Sequence, residues 1–166
     1  MSHTVIMSVA IAFAISVILG PVIIPFLRKL KVGQTERDDG PKSHLKKSGT
    51  PTMGGILILI GITATSVIYM KDYPKIMPIL FVTLGFGLIG FLDDYIKVVL
   101  HRSMGLRAWQ KMLGQIVVTG IFAYYMVNYA EVSFAMKIPF LPGKYVDWGV
   151  LNVPVLFVVV IATVNG

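Results

Sequence analysis

The chain has 166 residues, 55% of them hydrophobic and 14% charged, with a formal net charge of +7 and no cysteine. A soluble domain usually carries about a quarter charged residues, so this composition argues against one, and the missing thiols exclude disulfides, zinc thiolates and iron–sulfur clusters. Basic loops in an apolar chain are explained by membrane orientation and anionic headgroups, so no nucleic acid partner is expected.

Five stretches are free of charge: residues 5–27, 53–70, 76–92, 112–130 and 151–166. A spanning helix needs roughly 20 predominantly apolar residues. Buried core helices are the alternative, but five of them here would leave too little polar surface to cover them. The expected fold class is therefore an all-α integral membrane protein, a polytopic bundle of five spanning helices forming one membrane domain.

The first stretch has no basic residue before it and no small-residue cleavage pattern after it, so it reads as a retained helix. Residues 28–52 follow, with seven basic side chains. They include Arg37-Asp38-Asp39-Gly40-Pro41-Lys42-Ser43-His44 and Gly49-Thr50-Pro51-Thr52-Met53-Gly54-Gly55. Thr50 or Thr52 can cap the second helix. Gly54 and Gly55 open its first amides to close approach, and a helix N-terminus beside lysines is an anion site. An ordinary positively charged cytoplasmic loop explains the same lysines, and His44 alone reads as a surface histidine.

Residues 71–75 connect the second and third stretches and carry two lysines. The third stretch runs into Gly90-Phe91-Leu92-Asp93-Asp94-Tyr95-Ile96-Lys97. Two adjacent acids at a membrane helix end are costly unless paired. Lys97 can reach either on one helix face, and hard oxygen ligands also suit Mg²⁺. A solvated helix end with surface ion pairs is the bland alternative. Residues 93–111 hold four basic side chains, with Gln110 and Lys111 leading into the fourth stretch. Lys111 by itself reads as a lysine snorkelling to the interface.

Residues 131–150 alternate at Phe134, Met136 and Ile138. The turn signal Pro142-Gly143 precedes Tyr145, Val146 and Trp148. This reads as a short external β-hairpin with aromatics near the headgroups, or as an irregular loop. The fifth stretch reaches Thr163-Val164-Asn165-Gly166 straight from an apolar run, so the expectation is a piece of a longer protein. Of the fifteen basic residues, eleven lie in the first and third loops. Those loops are assigned to the cytoplasm and the N-terminus to the outside.

The strings Asp38–His44 and Thr50–Gly55, the run Gly87–Lys97 with its aspartate pair, and the terminal Ala162-Thr163-Val164-Asn165-Gly166 resemble the bacterial phospho-N-acetylmuramoyl-pentapeptide-transferases, across the whole chain. Other polyprenyl-phosphate sugar-phosphate transferases share the aspartate pair and a Pro-x-x-Gly-Gly element, but not the whole first loop.

The resemblance implies a Mg²⁺-dependent enzyme of the bacterial inner membrane with about ten spanning helices, often dimeric. Such an enzyme moves phospho-MurNAc-pentapeptide from its UDP carrier to undecaprenyl phosphate, giving lipid I and UMP in peptidoglycan synthesis. Asp93 is similar to the residue proposed to deprotonate the lipid phosphate, and Asp94 would balance charge and, with Asp93, hold Mg²⁺. Lys47, Thr52, Lys97 and Lys111 match polar positions expected near the nucleotide and phosphates. Asn165 opens a third motif. The family's third essential aspartate and histidine-rich loop would follow Gly166, so residues 1–166 alone are expected to be inactive.

Two other readings stay open. One is a related transferase using a GlcNAc-phosphate donor, against which the full Gly-Thr-Pro-Thr-Met-Gly-Gly string argues. The other is a transporter or channel subunit, for which an acid pair near the bilayer midplane would be expected.

Overall fold

A computed structural model describes residues 3–30, 53–100, 102, 104–129, 135–138 and 143–165. These fall into two compact units divided between Arg107 and Ala108.

The first unit holds three helices: α1 (His3–Leu30), α2 (Gly55–Tyr69) and α3 (Ile76–Val98). The first apolar run thus continues helically through Arg28 and Lys29, two cations that favour a helix C-terminus. Pro21 and Pro25 lie inside α1, where each leaves a carbonyl without its usual helical donor. The third run also extends past its apolar end. The aspartates do not terminate α3 but sit in its last turns, five and four residues before Val98.

α1 packs on α2 and α2 on α3. Leu27 near the end of α1, Met53 just before α2 and Val98 at the end of α3 form one buried cluster, supported by Ile23, Ile56, Phe91 and Val99. Thr4, Tyr69 and Ile76 line a cavity of about 270 Å³ at the opposite ends. The three helices therefore alternate in direction. Close α1–α2 packing depends on Gly61, where a Cβ would lie 2.7 Å from Ser16 Oγ and 3.0 Å from the Ala12 carbonyl oxygen.

Burial in this unit is inverted relative to a water-soluble bundle. Gly61 and Thr65 are the buried residues of α2, while Phe13, Ile18 and Val22 of α1 are 70%, 71% and 69% exposed. Away from the Leu27–Met53–Val98 cluster, small and polar groups line the α1–α2 contact and large apolar groups face outward, the pattern of helices whose solvent is lipid. Among the described residues, α1 and α3 are long and apolar enough to cross a membrane.

The second unit contains α4 (Ala108–Asn128), strands β1 (Met136–Lys137) and β2 (Tyr145–Val146), a 3₁₀ turn (Gly149–Leu151) and α5 (Asn152–Asn165). α4 starts four residues before its apolar run, so Gln110 and Lys111 lie in its first turn. Its buried residues, Gln115, Thr119 and Ala123, recur every four positions on one face, and α4 packs on α5. β1 and β2 pair antiparallel through Met136↔Val146 and Lys137↔Tyr145. Asp147 Oδ1 then accepts the Gly149 N–H at 2.8 Å, turning the chain toward α5.

Candidate functional site

The site is built where α2 begins and α3 ends. Met53 precedes α2 with φ +67°, a left-handed backbone that a residue with a Cβ rarely adopts. Its side chain is buried between Leu27 and Val98, which anchors the strained residue. Gly54 occupies the N-cap without a side-chain cap bond. Thr50, Thr52 and Lys47 lie outside the described residues, so the threonine cap and those two site assignments fall there too.

Met53 and Gly55 share a cleft of about 440 Å³ with Asp93 and Asp94, floored by Gly87, Gly90 and Phe91. The start of the glycine-rich helix and the acid pair, about forty positions apart in the chain, are thus brought to one place. An apolar groove of about 620 Å³ runs on between α2 and α3, lined by Ile60, Ala64, Leu84 and Leu88. Ile56, Leu59, Gly87 and Phe91 border both spaces. A polar end joined to an apolar channel suits an amphiphile with a charged head.

The two carboxylates differ. Asp93 is 7% exposed. Its Oδ2 lies 2.6 Å from Lys97 Nζ, one helical turn on, and its Oδ1 accepts the Leu106 backbone N–H at 2.8 Å. The segment after α3 folds back to make that second bond. Val99 N–H binds the Tyr95 carbonyl at 2.8 Å, Arg102 N–H the Ile96 carbonyl at 3.3 Å and Gly105 N–H the Arg102 carbonyl at 3.1 Å. Asp94 is half-buried. Among the described residues its carboxylate has no hydrogen-bond or ion-pair partner.

Of the residues singled out by sequence, Asp93, Asp94 and Lys97 are brought together. Lys111 and Asn165 belong to the second unit. Lys111 is half-buried in the first turn of α4. Asn165 exchanges hydrogen bonds with Gln115: its Nδ2 donates to Gln115 Oε1 at 2.8 Å, and Gln115 Nε2 donates to its Oδ1 at 3.2 Å. Asn165 Nδ2 also reaches the Ile161 carbonyl at 2.8 Å. Sequence reasoning missed Leu106 and Gln115. A backbone donor leaves no trace in residue type, although Gly105 just before it is a turn signal. Gln115 inside an apolar run was the visible sign of a buried amide partner.

No group of three or more histidine or acidic side chains able to hold a metal occurs among the described residues. The acid pair offers hard oxygen donors, and Mg²⁺ usually takes one or two carboxylates and completes its shell with water and phosphate. The donor set fits that cation.

Residues 47–59 match a family signature described as phospho-N-acetylmuramoyl-pentapeptide-transferase signature 1. The match covers the stretch that enters α2. Proteins named phospho-N-acetylmuramoyl-pentapeptide-transferase are similar along most of the chain. The one from Acetivibrio thermocellus is 51% identical over 156 residues, 93% of this chain and 47% of the relative. That from Caldicellulosiruptor bescii is 48% identical over 160 residues, 96% of this chain and 49% of the relative. That from Bacillus subtilis is 47% identical over 143 residues, 84% of this chain and 44% of the relative. The chain spans about half the length of the curated relatives it matches. By its signature, and by this likeness on both sides of it, the chain belongs to the phospho-N-acetylmuramoyl-pentapeptide-transferase family.

Proposed function

We propose that this chain carries part of the active site of an enzyme that transfers phospho-MurNAc-pentapeptide from its UDP carrier to undecaprenyl phosphate, releasing UMP and forming lipid I. The observation that carries the reading is the shared cleft of Met53, Gly55, Asp93 and Asp94. Its rim is the segment that bears the family signature.

The chemistry asks for little beyond positioning and charge stabilisation. The phosphate of the lipid attacks the β-phosphorus of the donor, and UMP leaves. The amides at the start of α2 supply fixed positive charge for the phosphates, and Lys97, assigned near them on the family's pattern, holds Asp93 in place beside them. Lys47, Thr52 and Lys111 are assigned to the nucleotide and phosphates on the family's pattern. Carboxylate oxygen at the acid pair would hold Mg²⁺, which when bound would neutralise charge on the phosphate oxygens. The apolar groove beside Leu84 and Leu88 suits the isoprenoid tail, so the lipid would enter head toward the acids.

Membrane placement follows the charge pattern. All five helices are assigned as spans, including the shorter α2 and α5, with the end of α3 at the cytoplasmic face and the β1–β2 pair outside. The acid pair near the end of α3 favours a surface transferase over a transporter, whose site would sit at mid-helix. Inner-membrane location, a homodimeric assembly and the preference for MurNAc-pentapeptide over a GlcNAc donor belong to the same proposal.

The test is a chimaera in which this chain replaces the matching half of the 51%-identical relative. UMP release that requires the UDP-MurNAc-pentapeptide donor, undecaprenyl phosphate and Mg²⁺ supports the assignment. A chimaera that inserts and folds but prefers UDP-GlcNAc as donor, or releases no UMP, contradicts it.

A further inference from the structure

The family's pattern gives Asp93 the proton-accepting role, yet Asp93 is the more enclosed of the two acids. Each of its oxygens already has a donor: Lys97 Nζ at 2.6 Å on Oδ2 and Leu106 N–H at 2.8 Å on Oδ1. The second donor is delivered by a specific piece of backbone. Gly105, at φ +57°, turns the chain so that the next amide meets the carboxylate. That conformation disfavours any residue with a Cβ. A Cβ at Gly105 would also press on Asp93 Oδ1 and Lys97 Cε. Position 105 thus has two independent reasons to be glycine, and both end at Asp93. Asp94 lines the same cleft, and its carboxylate has no hydrogen-bond or ion-pair partner among the described residues.

We infer that the two carboxylates divide the work: Asp93 is a positioning residue, clamped by Lys97 and by the Leu106 N–H through the Gly105 turn, and Asp94 is the carboxylate that meets a divalent cation and its phosphate ligand. The inference deepens the transferase reading and rests on it for the ligand. The clamp itself stands on geometry alone. A buried carboxylate with charged and backbone donors fixes the last turns of α3 and the segment behind them. It thereby fixes the direction in which its neighbour points.

Three measurements decide it. In the first, amide hydrogen exchange is followed at Leu106 in this chain, in lipid nanodiscs. Asp93→Ala is expected to speed exchange at Leu106 by about tenfold or more, while Asp94→Ala leaves it unchanged. Equal exchange in wild type and Asp93→Ala overturns the clamp. In the second, Mn²⁺ with UMP is titrated by electron paramagnetic resonance. Asp94→Asn is expected to weaken binding by at least about tenfold and more than Asp93→Asn does; a larger effect at Asp93 overturns the division of roles.

The third uses the chimaera. Gly105→Ala is expected to lower kcat by roughly ten- to a hundredfold, with KM for the UDP donor nearly unchanged. In an Asp93→Ala background the same substitution should have little further effect. An equal loss in both backgrounds would make Gly105 merely structural and sink the coupling. If the wild-type chimaera releases no UMP, the transferase reading fails, and the exchange experiment still decides the clamp.

Discussion

Lys97 Nζ and Asp93 Oδ2 lie 2.6 Å apart, four residues along α3, with Lys97 more exposed than the carboxylate it meets. The pair is asymmetric in consequence. Lys97 keeps 35% of its side chain accessible and Asp93 only 10%. Lys97→Met should therefore be the costlier change, about 2–4 kcal/mol of stability, because it leaves the enclosed Asp93 carboxylate without its charge partner. Asp93→Ala should cost less, about 1–2 kcal/mol, because Lys97 can turn to solvent and only the Leu106 amide is left unpaired. Thermal unfolding of the two variants in the same detergent checks the order; an equal loss would contradict it.

The α4–α5 contact rests on an amide pair. Gln115 is 3% exposed and exchanges two hydrogen bonds with Asn165. Polar pairs between membrane helices contribute about 0.6–2 kcal/mol. Gln115→Ala should lose that amount, and Gln115→Leu combined with Asn165→Leu should recover most of it, since no polar atom is then left alone. Full activity in a Gln115→Ala chimaera with reduced stability would assign Asn165 to packing. A kcat loss larger than the stability loss explains would return it to the substrate site.

Among the described residues each charge-free run falls on a helix, and two of these, α1 and α3, are long and apolar enough to cross a membrane. The ends were less legible. α1 and α3 continue past their apolar runs because helices tolerate a charged last turn, which the run boundary does not reveal. The Asp93–Lys97 pair followed from i, i+4 spacing, whereas the Leu106 donor needed a chain reversal across thirteen residues. The meeting of Gly55 with the acid pair depends on α2–α3 packing, which sequence spacing does not encode.

Topology is tested on a chain that has no native cysteine. Arg102 and Lys144 are both exposed. Arg102→Cys should resist an impermeant thiol reagent in intact cells and label after lysis, whereas Lys144→Cys should label from outside. Labelling of Arg102→Cys in intact cells would place the acid pair on the wrong side for a UDP donor.

Lys47 belongs to the matched signature, residues 47–59. A charge-assisted contact to phosphate contributes about 1.5–3 kcal/mol. Lys47→Ala in the chimaera should therefore weaken UMP binding by roughly ten- to a hundredfold in a calorimetric titration, with insertion unchanged. Unaltered affinity would leave Lys47 as an orienting charge alone.

The central claim is that Asp93 and Asp94 serve phosphoryl transfer. Its most direct measurement is UMP release by the chimaera, with the UDP donor, undecaprenyl phosphate and saturating Mg²⁺, in wild type and in Asp94→Asn. Removing a group that acts in the reaction typically costs about 10² to 10⁴ in rate. We predict a loss of that order with the protein still inserted and folded. Turnover in Asp94→Asn within about twofold of wild type, where a loss of about 10² or more is expected, would contradict this assignment.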